Sequence, residues 1–180
     1  LKDIKADLQV HSTWSDGKLS MLEMARAAAK QGIKVIAFTD HSVSLGVTGG
    51  LSMDDHKKQA AEIKKIQKQL GDEILVLHAS EVEIKADGSL DYPDEFLANL
   101  DLVLASMHTS LRQPREKVTE RVINAIRNPY VHIIGHPTGR LIPEREGADL
   151  DMEAILQAAA ETGVAMEINA HPSRLDLDDM

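Results

Sequence analysis

Histidines and carboxylates recur in this chain wherever an apolar run ends. His11 and then Asp16 follow DLQV, Asp40 and His41 follow IKVIAF, and Glu81 and Glu83 follow the run from Ile74 to Ala79. His108 comes just after LVLA, His136 just after VHII, and Asn169 and His171 after VAMEI. Neutral imidazole together with carboxylate is the donor set of Zn, Mn or Fe, and a carboxylate has two oxygens with which to bridge two ions. With no cysteine in the chain, any metal must be held by these groups. Clustered divalent ions suit phosphoester hydrolysis, because they acidify a bound water and neutralise charge on phosphoryl oxygens. The expected catalytic group is then a metal-bound water, with no protein nucleophile. Neither a Ser-His-Asp arrangement nor a phosphate-cradling G-x-x-x-x-G-K-S/T loop is present.

Residues so far apart in sequence meet only if the fold gathers them, and the pattern of elements predicts that it does. Strands are expected over Asp7–Val10, Ile33–Phe38, Ile74–Ala79, Leu102–Ala105, Val131–Ile134 and Val164–Ile168. Between them lie helical segments. Ser20 with Glu23 forms a capping box before the first helix, which Gly32 ends, and Ser52 caps a second over Asp54–Leu70, with apolar spacing at Ala60, Ile63, Ile66 and Leu70 and a stop at Gly71. A short helix is expected at Glu95–Asn99, one from Pro114 to Arg127, and one over Asp149–Glu161 capped by Gly163. Six strand-then-helix units in order predict parallel strands with right-handed crossovers. In parallel α/β folds the carboxyl ends of the strands lie on one face and sites are assembled there from several loops.

Composition narrows the class. A chain of 180 residues supports one substantial core, and no apolar run approaches the ~18 residues of a membrane span. The expectation is a soluble, cytoplasmic protein with no membrane partner. A net charge of -9 argues against nonspecific nucleic-acid binding by the surface as a whole, though not against one phosphodiester end entering a metal site.

Six segments carry a resemblance: DLQVHSTWSDG, AFTDHS, SEVEI, SMHTS, GHPTGR and EINAHPSRLDL. In this order they are similar to the successive motifs of the PHP (polymerase and histidinol phosphatase) domain, most closely the version at the C-terminus of bacterial family X DNA polymerases. The resemblance covers essentially the whole chain and implies an α/β fold, a distorted (β/α)7 TIM-like barrel. It also implies two or three divalent ions and phosphoesterase chemistry, as a manganese-dependent 3'-5' exonuclease or 3'-phosphatase on DNA ends. His11, Asp16, His41, Glu81, His108 and His136 are the implied metal ligands, with Glu81 as the bridge. Gln9 stands where the family's first motif has a histidine, and an amide oxygen is the poorer ligand. The chain starts at Leu1 and stops at LDLDDM, before the family's last βα unit with its Asp-x-His. Residues 1–180 are therefore expected to be a single PHP domain cut from a longer protein and lacking that unit, with polymerase domains as partners or self-association along the open barrel edge.

The remaining residues have plainer expectations. Asp40, beside His41 on the opposite side of an ideal strand, is expected to orient a ligand, and Gln9, His171 and Arg174 to touch ligands or substrate. His171 reads equally as a turn residue before Pro172, and Arg174 as a salt-bridge partner of Asp176 or Asp178. His56 reads as a solvated helix residue, His78 and His132 as satisfied core histidines, and Glu83 as an exposed carboxylate. Arg112, Arg115, Lys117, Arg121 and Arg127 alternate with Glu116 and Glu120 as a solvated helix face would. Two other functions fit: a small-molecule phosphatase of the histidinol phosphate or nucleotide type, and a catalytically weakened domain bracing a polymerase.

Overall fold

Two serines start the first two long helices. In the computed structural model, which describes residues 3–177, the Ser20 side chain accepts from the Glu23 backbone while Glu23 reaches back to the Ser20 backbone, opening α1 (Met21–Lys30). Ser52 and Asp55 make the same reciprocal pair at the start of α2 (Met53–Leu70). The chain divides into two compact units, one of residues up to Glu81 with Asp94–Leu102, the other of Val82–Pro93 with residues from Val103 onward.

In the first unit β1 (Ala6–Val10), β2 (Val35–Phe38) and β3 (Leu75–Glu83, of which the last two residues belong to the second unit) follow one another in parallel, Ala6 opposite Val35 and Val35 opposite Leu75. A 3-10 turn, Gly46–Thr48, precedes α2, and the four-residue α3 (Asp94–Leu97) belongs to this unit. Val10, Met21, Ala25, Ile36, Phe38, Ile63, Ile66, Leu70, Ile74 and Val76 form its core. Each large side chain so buried contributes about 1.5–3 kcal/mol.

The second unit pairs β4 (Leu102–Ser106), β5 (Ile133–Ile134) and β6 (Ala165–Met166) in parallel, Leu104 opposite Ile133 and Ile133 opposite Ala165. Helices α4 (Arg115–Ile126) and α5 (Met152–Thr162) pack on each other, burying Val118, Val122, Ala125, Ile155, Ala158 and Ala159. Gly135 leaves β5 against Leu104, where a Cβ would overlap that side chain.

All six expected strands are present, with altered bounds. Strand β3 runs four residues past Ala79, so Glu81 and Glu83 lie inside it. The ladder continues there because the Ser42 N–H donates to the Glu81 carbonyl (3.0 Å) and the Ile84 N–H to that of Ser106 (2.8 Å). β5 starts after His132, which is exposed and not a core residue; its ring Nδ1 accepts from the Val103 backbone at 3.1 Å. No helix among the described residues is long and apolar enough to cross a membrane.

Candidate metal centre

In the first unit β1 ends at Val10 and the chain turns at once through residues 11–17. The turn is tight: the Gly17 N–H donates to the Ser12 carbonyl at 2.9 Å, and a Cβ on Gly17 would overlap the His11 carbonyl. What holds it is Asp40, fully buried at the exit of β2. Its carboxylate accepts from the Ser12 N–H (2.8 Å), the Ser12 hydroxyl (2.8 Å), the Ser15 hydroxyl (2.6 Å) and the Gln59 amide on α2 (2.6 Å). Asp40 thus holds the loop that carries His11 and Asp16.

His11 and His41 are brought together with ring centroids 4.4 Å apart. Each ring faces Asp16 with one nitrogen and Glu81 with the other. His11 Nδ1 lies 3.3 Å from Asp16 and Nε2 3.1 Å from Glu81; His41 Nε2 lies 3.7 Å from Asp16 and Nδ1 3.5 Å from Glu81. Asp16 is exposed and Glu81 is buried, 1% accessible. Burial opposes the charged form of His11, but the hydrogen bond and charge of Glu81, with Asp16 and Asp40, outweigh it and hold the imidazole pKa above its ordinary value.

The donor set fits a divalent ion. Ligand atoms of His11, Asp16 and His41 all lie within 4.8 Å of one another, and the buried His11 Nδ1 has no hydrogen-bond partner, its contact with Asp16 being one of charge. Two imidazoles and two carboxylates suit Zn, Mn or Fe. Gln9 is half-buried on β1, two residues before His11.

The second unit supplies a different arrangement. His108 and His136 follow β4 and β5 with ring centroids 5.1 Å apart and nearly perpendicular. Glu83, at the end of β3, is 3% accessible and so not the exposed carboxylate its sequence position suggests. It accepts from His108 Nδ1 at 2.7 Å. His136 is buried, and its N–H donates to Glu167 at 2.6 Å, while Asn169 donates to the same carboxylate at 3.3 Å. Arg121 is 2% accessible on α4 and not part of a solvated face; Arg112, Arg115, Lys117 and Arg127 are exposed.

Of the other expected residues, His171 is exposed and bonded locally to Ser173 at 2.8 Å, as a turn residue before Pro172 would be. Arg174 donates to the Arg140 carbonyl at 3.3 Å. Asp176 instead accepts from the Thr138 N–H and hydroxyl and the Gly139 N–H, and Asp178 lies outside the described residues. His56 is fully buried, contrary to the solvated reading, with Nδ1 3.3 Å from Nε2 of His78. Burial, then the neighbouring His78, push its pKa down to about 4.

Gln59, Arg121, Glu167 and Asp176 were not singled out by sequence as parts of a site. For Gln59 a signal existed: the buried positions of α2 are His56, Gln59, Ile63, Ile66 and Leu70, the apolar stripe extended one turn back. Arg121 likewise falls on the core stripe of Val118, Val122 and Ala125.

Strand ends bearing imidazole and carboxylate that could hold a metal ion mark an α/β protein with a candidate metal centre. Residues 7–171 match the model of the PHP domain, and the chain belongs to that family. It is 45% identical over 177 residues to the DNA polymerase/3'-5' exonuclease PolX of Bacillus subtilis (strain 168), covering 98% of this chain and 31% of that protein. It is 35% identical over 168 residues to the probable phosphatase TTE1963 of Caldanaerobacter subterraneus subsp. tengcongensis, covering 91% of this chain and 61% of that protein. The chain thus spans less than two thirds of the length of either relative. Among solved structures, histidinol phosphate phosphatase (HISK) from Lactococcus lactis, complexed with Zn, L-histidinol and phosphate, is similar in fold, with a TM-score of 0.60 and 19% identity over 92% of this chain and 73% of that one. The hisK protein of Listeria monocytogenes has a TM-score of 0.71 at 14% identity, over 96% of this chain and 85% of that one.

Proposed function

We propose that this chain is the metal-dependent phosphoesterase domain of a family X type DNA polymerase, acting on DNA 3' ends as a 3'-5' exonuclease or 3'-phosphatase. The observation that carries the reading is the set His11, Asp16, His41 and Glu81, two imidazoles between two carboxylates with donor contacts of 3.1–3.7 Å. Likeness to PolX along nearly the whole chain supports the substrate. His11, Asp16, His41 and Glu81 would hold an ion in the first unit, and His108 and His136 are the proposed donors of the second. Bound ions would supply Lewis-acid activation of water and charge neutralisation at the phosphoryl group. The chain's own part is to hold the donors: Asp40 orders the loop of His11 and Asp16, and Glu167 fixes the backbone of His136.

A small-molecule phosphatase is the second reading, favoured by 35% identity to the probable phosphatase TTE1963. The seven-unit barrel, with a further βα unit or a second copy along β1, also belongs to the proposal.

Metal analysis of the purified chain, followed by assays with Mn on a 3'-ended oligonucleotide and on histidinol phosphate, tests these readings. Release of nucleotides or 3'-phosphate from the oligonucleotide, lost in His41→Ala, is expected. Turnover of histidinol phosphate alone would favour the second reading, and a chain that takes up no divalent ion would defeat both.

A further inference from the structure

Glu83 grips His108 in several places. One carboxylate oxygen lies 2.7 Å from the ring Nδ1, and the pair also accepts the His108 N–H (3.1 Å), the Thr109 N–H (3.2 Å) and the Thr109 hydroxyl (2.9 Å). An ionised carboxylate has lone pairs only, so the nitrogen facing it must carry the proton. In a neutral imidazole that leaves Nε2 as the lone pair.

Beneath this contact lies Arg121. Its Nε donates to the Ile84 carbonyl at 3.0 Å and its Nη1 to the Thr109 carbonyl at 3.0 Å, and its Nη2 lies 3.6 Å from Glu83. Nη2 also donates to the Ile84 carbonyl. One guanidinium therefore ties the residue after Glu83 to the residue after His108, and supplies the positive charge that a carboxylate removed from water requires. A lysine, with a single ammonium, has no such fork.

We propose that Glu83, backed by Arg121, is a positioning residue that locks His108 in the Nδ1–H tautomer, so that the lone pair a divalent ion would take lies on Nε2. The proposal rests on the reading of His108 as a metal ligand. Both Glu83 oxygens are engaged by this network, so its part is to orient the ligand. Imidazole ligands whose second nitrogen donates to a carboxylate are the general form of such an arrangement, and loss of the partner lowers metal affinity roughly 10–100-fold.

Nitrogen-resolved NMR of the metal-free protein reads the tautomer of His108 directly once the pH has been raised far enough for its ring to be neutral. Wild type should show Nδ1–H alone. Glu83→Gln preserves size but can offer either an oxygen or an amide N–H to the ring, so both tautomers should appear, with Zn affinity roughly 10–100-fold weaker. Glu83→Ala should lose the preference as well, and if it does not fold the Gln variant decides. Thr109→Val, which removes one donor to Glu83 but not the ring contact, should keep the wild-type tautomer. An unchanged Nδ1–H tautomer in Glu83→Gln overturns the proposal, as does unchanged Zn affinity once the tautomer is lost. If the tautomer follows Glu83 but the wild type binds no Zn or Mn, the grip stands and the metal reading of His108 falls.

Discussion

Asp40 and Glu83 are both buried carboxylates at strand exits, one in each unit, and they hold different things. Asp40 grips a loop: its donors are the Ser12 N–H, two serine hydroxyls and the Gln59 amide, and it bonds neither His11 nor His41 among the contacts described above. Glu83 grips a ring, His108, as well as its backbone. The imidazoles of the first unit are consequently left facing carboxylates that are themselves candidate ligands, Asp16 and Glu81. In the second unit the carboxylate is committed to orientation. A buried acid near a metal ligand therefore cannot be assigned its part from residue type; what counts is which donors already occupy it.

The largest effect expected from this contrast is at Glu81. Glu81→Gln replaces an anionic donor by an amide in contact with both His11 and His41, and should lower metal content more than His41→Ala, with the ion of the first unit weakened by at least roughly 10²-fold. Inductively coupled plasma analysis of the two variants checks it; an equal or smaller loss in Glu81→Gln would show that Glu81 matters no more to the ion than His41 does.

Asp40→Ala should come next. It leaves the buried Ser12 N–H and the Gln59 amide without their acceptor, at about 1–3 kcal/mol for each unsatisfied group. Thermal unfolding should report a loss of about 3 kcal/mol, with weaker metal binding in the first unit and an unchanged His108 signal. A variant as stable as wild type would mean that the loop is held by something other than Asp40.

The smallest effect expected, taken at pH 5, is the response to acid. His56 has a folded-state pKa near 4, below the ordinary histidine value, so the unfolded chain binds its proton first as pH falls. Its contribution is complete above about pH 6.5 and is lost as pH drops toward 4, up to about 3 kcal/mol in total and about half of that near pH 5. His78 is also held below its ordinary value by burial, against Asp101, and so pushes in the same direction. Because α2 carries both His56 and Gln59, the protection factors of its amides, corrected for the pH dependence of intrinsic exchange, should be lower at pH 5 than at pH 7, with a smaller change in α4. An equal fall in both helices would show that acid acts on the whole fold, and His56→Leu should flatten the response of α2.

Much of the frame could be read from the chain. Capping serines at Ser20 and Ser52, the stops at Gly32, Gly71 and Gly163 and the six apolar runs are local signals, since a cap or a strand period depends on residues within a turn or two. The positions of His11, His41, Glu81, His108 and His136 just after or near the ends of those runs were equally legible. The short extents of β5 and β6, and the extension of β3 through Glu83, were not, because strand ends are set by which backbone groups find a partner.

Sequence alone determined the types of donor available, the order of the elements and the family that the motifs resemble. Only tertiary structure decided which polar side chains are buried and what they touch. His56 and Arg121 look solvated because their neighbours in sequence are charged, yet each lies on the inner stripe of its helix. A charged residue is admitted there only when partners remote in the chain satisfy it: Ile84, Thr109 and Glu83 for Arg121, and His78 beside a neutral His56. Local pattern cannot supply those partners, since folding brings them together from 12 to 38 residues away along the chain for Arg121.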